Sequence, residues 1–315
     1  MITIRWYRDG AQSSSPAHPD GVLSPQAVWV DLETPSEAER QQVADAYELV
    51  LPSAEDVAEI EATSRFFEDD DGVHLHAYFL QELPDGCVNT TVSFTVRDGR
   101  LFTLRYREIP AFEHFLSHMR RNPTKYNDPW SIALGLIETR VDRTADLIER
   151  LYADVDDHTQ AVFGVAEASL ERLIDDMATA EETNGKARLS LMDQQRVLTL
   201  LQRNGELSEP LRATVGELLR DTESLLAHST SLSEKIDFLM DVTTGKIAIE
   251  QNRIIRIVSV AALTLFPPTL IASLYGMNFR FMPELTWQWG YPIALALMLL
   301  SAFVPYLYFK RKGWL

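Results

Sequence analysis

Three consecutive residues, Gly276-Met277-Asn278, stand at the end of a long apolar run and bring neutral oxygen donors there. The glycine lets the backbone turn closely and present its carbonyls, and the asparagine adds an amide oxygen. Such hard, uncharged acceptors suit Mg²⁺, which sheds water reluctantly and is better met by a ring of oxygens than by a tight protein cage. Counting back from Gly276 by threes and fours gives Ser273, Thr269, Phe266, Ala262, Ser259, Ile255 and Asn252, a single stripe at helical spacing. Polar groups inside a membrane turn toward protein or water, so the stripe reads as a pore lining; the competing reading is close helix packing through small residues. Pro267-Pro268 removes two backbone donors from the same run and is expected to bend it.

The elements that would position these groups are two apolar runs, Ile257 to Tyr275 and Tyr291 to Phe309, neither with an ionisable side chain other than tyrosine. A hydrocarbon core about 30 Å thick takes roughly 20 helical residues, so both are long enough to span it. Arg253 and Arg256 precede the first run and Lys310-Arg311-Lys312 follows the second, which places both flanks, and hence both termini, on the cytoplasmic side and the connecting loop outside. Trp287, Trp289 and Tyr291 form an outer aromatic belt, and Tyr306, Tyr308 and Trp314 an inner one. Two helices cannot enclose a pore, so several copies in a ring are required.

Charge is divided unevenly. The chain has 29 basic and 46 acidic residues, a net −17. From Gln251 onward there are six basic residues and one acidic, Glu284, which leaves 23 against 45 upstream, a net −22. That surface would repel phosphates and argues against a nucleic-acid partner, while suiting a region that meets cations or simply needs solubility. The single cysteine, Cys87, allows no intrachain disulfide and fits a reducing compartment, and the N-terminal residues lack a signal-peptide pattern. No phosphate-binding loop, dinucleotide fingerprint or nucleophile elbow occurs, so no nucleotide, organic cofactor or enzymatic activity is expected. His114 and His118, four apart, lack a third metal ligand and read as surface histidines; His74 and His76 share one side of a strand; Glu68-Asp69-Asp70-Asp71-Gly72 lacks calcium-loop spacing and reads as a solvated turn.

In chain order, residues 1–130 mix strand and helix signals: β-rich runs at 27–32, 73–80, 89–96 and 100–105, a helix start capped by Ser36, and turns at Pro84-Asp85-Gly86 and Arg97-Asp98-Gly99. They predict an α/β domain with a mixed or mostly antiparallel sheet. Residues 131–205 predict an antiparallel helical hairpin broken at Gly164, its second helix running from about Glu167 to Leu201. Leu211, Leu218, Leu225, Leu232 and Leu239 then recur every seven residues in a proline-free stalk, 206–256, that leads into the first span, 257–275. The seam period fits a coiled coil, or packing on the preceding hairpin, or both. The loop 276–290, the second span 291–309 and a basic tail 310–315 complete the chain.

Tyr275-Gly276-Met277-Asn278-Phe279, Met282-Pro283-Glu284-Leu285, Gly290-Tyr291-Pro292 and the ending from Pro305 to Leu315 closely resemble the CorA family of magnesium transporters, as do Glu250 to Ile255 and Arg65 to Gly72. The resemblance implies a funnel-shaped homopentamer in the inner membrane: an α/β/α cytoplasmic domain, a stalk helix continuing into the pore helix, and an outer second helix. It implies passive Mg²⁺ flux driven by the membrane potential, with Co²⁺ and Ni²⁺ as further candidate cargo, and closure by intracellular Mg²⁺ bound between cytoplasmic domains. Asn278 would ring the pore entrance, Thr269 would be the pore threonine and Asn252 the inner asparagine. Loose matching suggests Glu82, Glu217 and Asp221 as regulatory metal ligands. The chain departs from many members at Arg280, where they carry an acidic residue, so cation attraction would rest on Glu284 and neutral oxygens. A zinc-transporting branch of the family and, from another class, a non-conducting membrane-anchored coiled-coil sensor are the rival readings.

Overall fold

The computed structural model describes residues 2–8, 11–16, 27–53, 66–70, 72–84, 86–122, 124–164, 170–203, 205, 207–278, 280 and 282–314. Of the residues singled out above, Arg65, Asp71, Asp85, Glu167, Phe279 and Leu315 lie outside them. The described residues fall into two units, up to Leu239 and from Met240 onward.

In the first unit a seven-stranded sheet forms from β1 (Ile2–Arg8), β2 (Ala11–Pro16), β3 (Trp29–Glu33), β4 (Phe66–Asp69), β5 (Gly72–Leu83), β6 (Gly86–Arg97) and β7 (Arg100–Arg105). Their spatial order is β2-β1-β3-β7-β6-β5-β4. Only β3 and β7 run parallel; every other pair is antiparallel. The β6–β7 turn is tight because Asp98 and Gly99 both have positive φ, 47° and 70°, as a two-residue turn of this hand demands. The acidic stretch expected to be a solvated turn is in part an edge strand: Phe66–Asp69 pairs with β5, with Phe67 stacked on His74 at 4.5 Å.

Helix α1 (Glu37–Tyr47) starts on a capping box in which the Ser36 hydroxyl accepts from the Glu39 N–H and the Glu39 carboxylate accepts from the Ser36 N–H. It covers one face of the sheet, where Val30, Leu32, Phe102 and Leu104 meet Val43, Leu49 and Leu51. The alternate residues of the same strands face the other way, as the two-residue period requires. There Trp29, Phe79, Phe94 and Leu101 pack with Phe112 and Phe115 of α2 (Pro110–Arg121) and with Ile137 and Val141 of α3 (Pro129–Phe163). The result is an α/β/α layering, with helices α4 (Leu170–Gln202) and α5 (Glu209–Tyr275) extending the second core through Val197, Leu198, Val215 and Leu218.

Buried polar contacts fix how these layers meet. The Arg105 guanidinium bonds Asp31 at 3.0 Å and Glu33 at 2.9 Å, while the Trp29 indole donates to the Thr103 hydroxyl, which donates to Asp31. Asp193 on α4 accepts the Tyr78 backbone N–H at 2.8 Å and lies 3.3 Å from the Arg140 guanidinium of α3, joining strand, hairpin and sheet in one knot. On the stalk side Asn184 of α4 exchanges two hydrogen bonds of 2.9 Å with Ser229 of α5 and donates a third to Ser233.

The heptad seam of α5 is used within the chain. Leu218, Leu232 and Leu239 are buried, as is the intervening row of Val215, Thr222, Ser229 and Ile236. Contacts to the hairpin run along it: Tyr152 donates to the His228 carbonyl, and Lys235 pairs with Asp156. Of the two uses expected for the period, packing on the preceding hairpin is the one this chain displays.

Glu138, Asp142 and Asp146 recur at fours along α3, with Asp221 of α5 beside them. Burial, then the charges of Glu138, Asp146 and Asp221, push the Asp142 carboxyl above its usual value of 3.8. A carboxyl raised in this way favours the native state when protonated. Its contribution is full below the ordinary value and turns into a cost as pH climbs through the raised one. Asp142→Asn should therefore raise the thermal midpoint of the full chain near neutrality and leave it unchanged below about pH 4, measured as a melting series against pH. Asp193→Ala should cost about 3 kcal/mol, because it removes the carboxylate that the buried Arg140 guanidinium and the Tyr78 N–H share. The double change Asp193→Leu with Arg140→Met should recover most of that midpoint loss.

Candidate pore and its outer mouth

The second unit contains the C-terminal part of α5 and helix α6 (Gly290–Arg311), joined by a loop with one 3-10 turn at Pro283–Thr286. Both helices are long and apolar enough to cross a membrane. Helix α5 continues unbroken through Pro267 and Pro268 to Tyr275. Neither proline has an N–H, so the carbonyls of Leu263 and Thr264 lose their helical donors. The Thr264 hydroxyl is also buried without a hydrogen-bond partner, which concentrates unmet polarity at one level of an otherwise apolar segment.

One face of each helix is withdrawn from the surface. On α5 it comprises Val260, Thr264, Pro267, Pro268 and Ile271, and on α6 Ala294, Met298, Ala302, Pro305 and Phe309. The predicted stripe is elsewhere. Asn252, Ile255, Ala262, Phe266, Thr269 and Ser273 are all exposed, and Ser259 is at the margin. At about 100° per residue, the centre of the stripe lies about 150° around the helix from the centre of the covered face. Close packing within one chain therefore does not account for these small and polar residues. Phe266, 70% exposed, is the largest of them. The Thr269 hydroxyl bonds the Leu265 carbonyl at 2.8 Å and the Asn252 amide the Ala248 carbonyl at 3.0 Å, so their remaining polar capacity points off the helix.

At the end of α5 the Gly276 N–H bonds the Ala272 carbonyl at 2.9 Å, the last regular turn, and Met277 and Asn278 are exposed beyond it. Gly276 does not use the left-handed region. Its value here is the bare backbone it leaves beside the loop. A cavity of about 420 Å³ lies behind this point, lined by Ala272, Gly276, Glu284, Gly290, Tyr291 and Met298 among others, so Gly276 and Glu284 share one local structure. Arg280 and Glu284 are both exposed and form no ion pair with each other.

The three regulatory candidates are not gathered into one site. Glu82 lies on β5 and pairs with Arg150 of α3 at 2.5 Å. Asp221 belongs with Asp142, eight residues earlier on α3, or about 12 Å along the helix. Glu217, one turn before Asp221 on α5, is exposed. Among the described residues no group of three His, Cys, Asp or Glu side chains is placed to hold a metal ion within one chain. His74 is buried, bonded to Asp69 at 2.9 Å and to the Thr95 hydroxyl at 3.0 Å, and His114 and His118 lie on α2. Of the acids around Asp142 only Asp221 was singled out from sequence, although the spacing of four of Glu138, Asp142 and Asp146 was visible there.

Comparisons with known proteins bear on the family and the fold. The family described as CorA-like Mg²⁺ transporter protein matches residues 24–311. The magnesium transport proteins CorA of Yersinia pseudotuberculosis and of Escherichia coli (strain K12) are each 45% identical over 291 residues, 92% of this chain and 92% of theirs. The complete structure of the CorA magnesium transporter from Methanocaldococcus jannaschii superposes with a TM-score of 0.80 over 100% of this chain and 99% of that one at 17% identity, a likeness of fold. With the family matched along nearly its whole length, an α/β/α domain, a 67-residue helix and two apolar C-terminal helices, the chain belongs to the CorA family.

Proposed function

We propose that this chain is a subunit of a homopentameric Mg²⁺ channel of the inner membrane, with its termini in the cytoplasm and Asn278 at the outer pore entrance. The observation that carries the reading is the exposed stripe from Asn252 to Ser273, set on the side of α5 that α6 leaves uncovered. In a membrane such a stripe needs other copies or water, and a ring of identical chains supplies both. Magnesium as cargo is supported by the relatives, which are named magnesium transport proteins. Five as the ring number follows the family resemblance, as does the possible passage of Co²⁺ and Ni²⁺.

The chemistry needed is modest. Hydrated Mg²⁺ meets amide and carbonyl oxygens at Gly276-Met277-Asn278, passes hydroxyls at Ser273, Thr269 and Ser259, and leaves past Asn252. Phe266 and Ile255 are the apolar collars. No nucleotide or organic cofactor is required: 100 mV is worth about 4.6 kcal/mol for a divalent ion, more than a thousandfold in concentration. Control of closing is then the main demand. In this reading Mg²⁺ bound between neighbouring cytoplasmic units favours the closed ring by mass action, and carboxylates such as Glu82, Glu217 and Asp221 contribute from separate chains.

Asn278→Ala should abolish Mg²⁺ flux into vesicles while the ring still elutes intact on sizing; an unchanged rate and ion preference would remove Asn278 from the entrance. Neutralising Glu217 and Asp221 together should shift closure to several-fold higher internal Mg²⁺ in the same vesicles. An unaltered closing curve would take both out of the sensor.

A further inference from the structure

The loop between the two apolar helices, residues 276–290, contains one cation, Arg280, and one anion, Glu284. Its net charge is zero. A net-neutral loop draws cations to the mouth only if its carboxylate is held nearer the entrance path than its guanidinium, so position decides what charge count leaves undecided.

The structure holds Glu284 by its backbone. Pro283–Thr286 forms the 3-10 turn, in which Leu285 N–H bonds the Met282 carbonyl at 3.2 Å and the Thr286 hydroxyl bonds the Pro283 carbonyl at 2.8 Å. The chain then returns: Trp287 N–H reaches the Glu284 carbonyl at 3.4 Å, and Gly290 N–H the Trp287 carbonyl at 2.9 Å. The start of α6 thus lies directly on the Glu284 peptide. A Cβ built on Gly290 would fall against the Glu284 carbonyl oxygen, closer than real side chains come, and 3.4 Å from its carbon. Both are backbone atoms and no rotamer change relieves the overlap, so any side chain at 290 must move either the 3-10 turn or the helix end.

We infer that Gly290 is a positioning residue for cation capture: the missing side chain lets α6 seat against the Glu284 peptide, which anchors the backbone of residue 284 at the cavity that Gly276 also lines and so sets where the loop's one carboxylate is presented at the mouth. The inference rests on the transport reading above.

The test is the initial rate of Mg²⁺ uptake by the full chain in vesicles against external Mg²⁺, at low and at high ionic strength. Gly290→Ala should raise KM about threefold to tenfold at low ionic strength with the maximal rate within twofold, and high salt should erase the difference. Glu284→Gln should do the same, and the two changes together should be no worse than either alone. Arg280→Gln should lower KM. A relocated carboxylate, Glu284→Gln with Gln288→Glu, keeps the loop neutral and removes none of the bonds that hold the 3-10 turn, and should leave KM raised. A normal KM in the relocated variant overturns the inference even if Gly290→Ala fails to assemble, as does a Gly290→Ala protein with lowered maximal rate and unchanged KM. Absence of saturable uptake by the unmodified chain overturns the transport reading itself, and this inference with it.

Discussion

Two helices can shield each other on one side only. Everything distinctive about the C-terminal unit follows from that constraint. Val260, Thr264 and Ile271 use the shielded side of α5, which leaves the opposite side, with its serines, threonine and asparagine, to be satisfied by something other than its own chain. Lipid tails offer no hydrogen bonds, so a stripe of this composition is intelligible only where further protein or water meets it.

The first unit solves a different problem, that of holding a sheet, a hairpin and a long helix in one register without a cysteine bridge. It does so with a few buried polar contacts among apolar layers. Arg140 and Asp193 bind the hairpin to Tyr78 on the sheet, Arg105 binds the parallel pair β3 and β7 through Asp31, and Asn184 binds α4 to α5 at Ser229. Each such contact adds little net stability against an apolar replacement, but each is costly to leave half made, which penalises a slipped arrangement.

Much of this was legible in the sequence, for physical reasons that can be named. The Ser36 cap, the Asp98-Gly99 turn and the β-rich runs of β5 and β6 are local signals, and they appear where the residues place them. The stripe was legible because helical spacing is rigid. Strand β4 was not, since Glu68 and Asp69 look like a turn until the edge of the sheet is there to pair with them. The acids around Asp142 and the contact at Gly290 depend on which segments come together in space, and a single sequence does not carry that. The seam of α5 was read correctly as a seam, but a period of seven does not say which helix will fill it.

That last point bears on how such a chain is made. The partners of the α5 seam, helices α3 and α4, precede it in the sequence, so each new turn of α5 meets its own hairpin as it leaves the ribosome. At about ten residues per second the two apolar helices follow within roughly ten seconds, after the leucines have already been covered. Nascent chains on one message thus have no sticky heptads to tangle with their neighbours. Any contact between copies is then left to surfaces that remain once the first unit is complete, so the N-terminal unit can fold before the two apolar helices emerge.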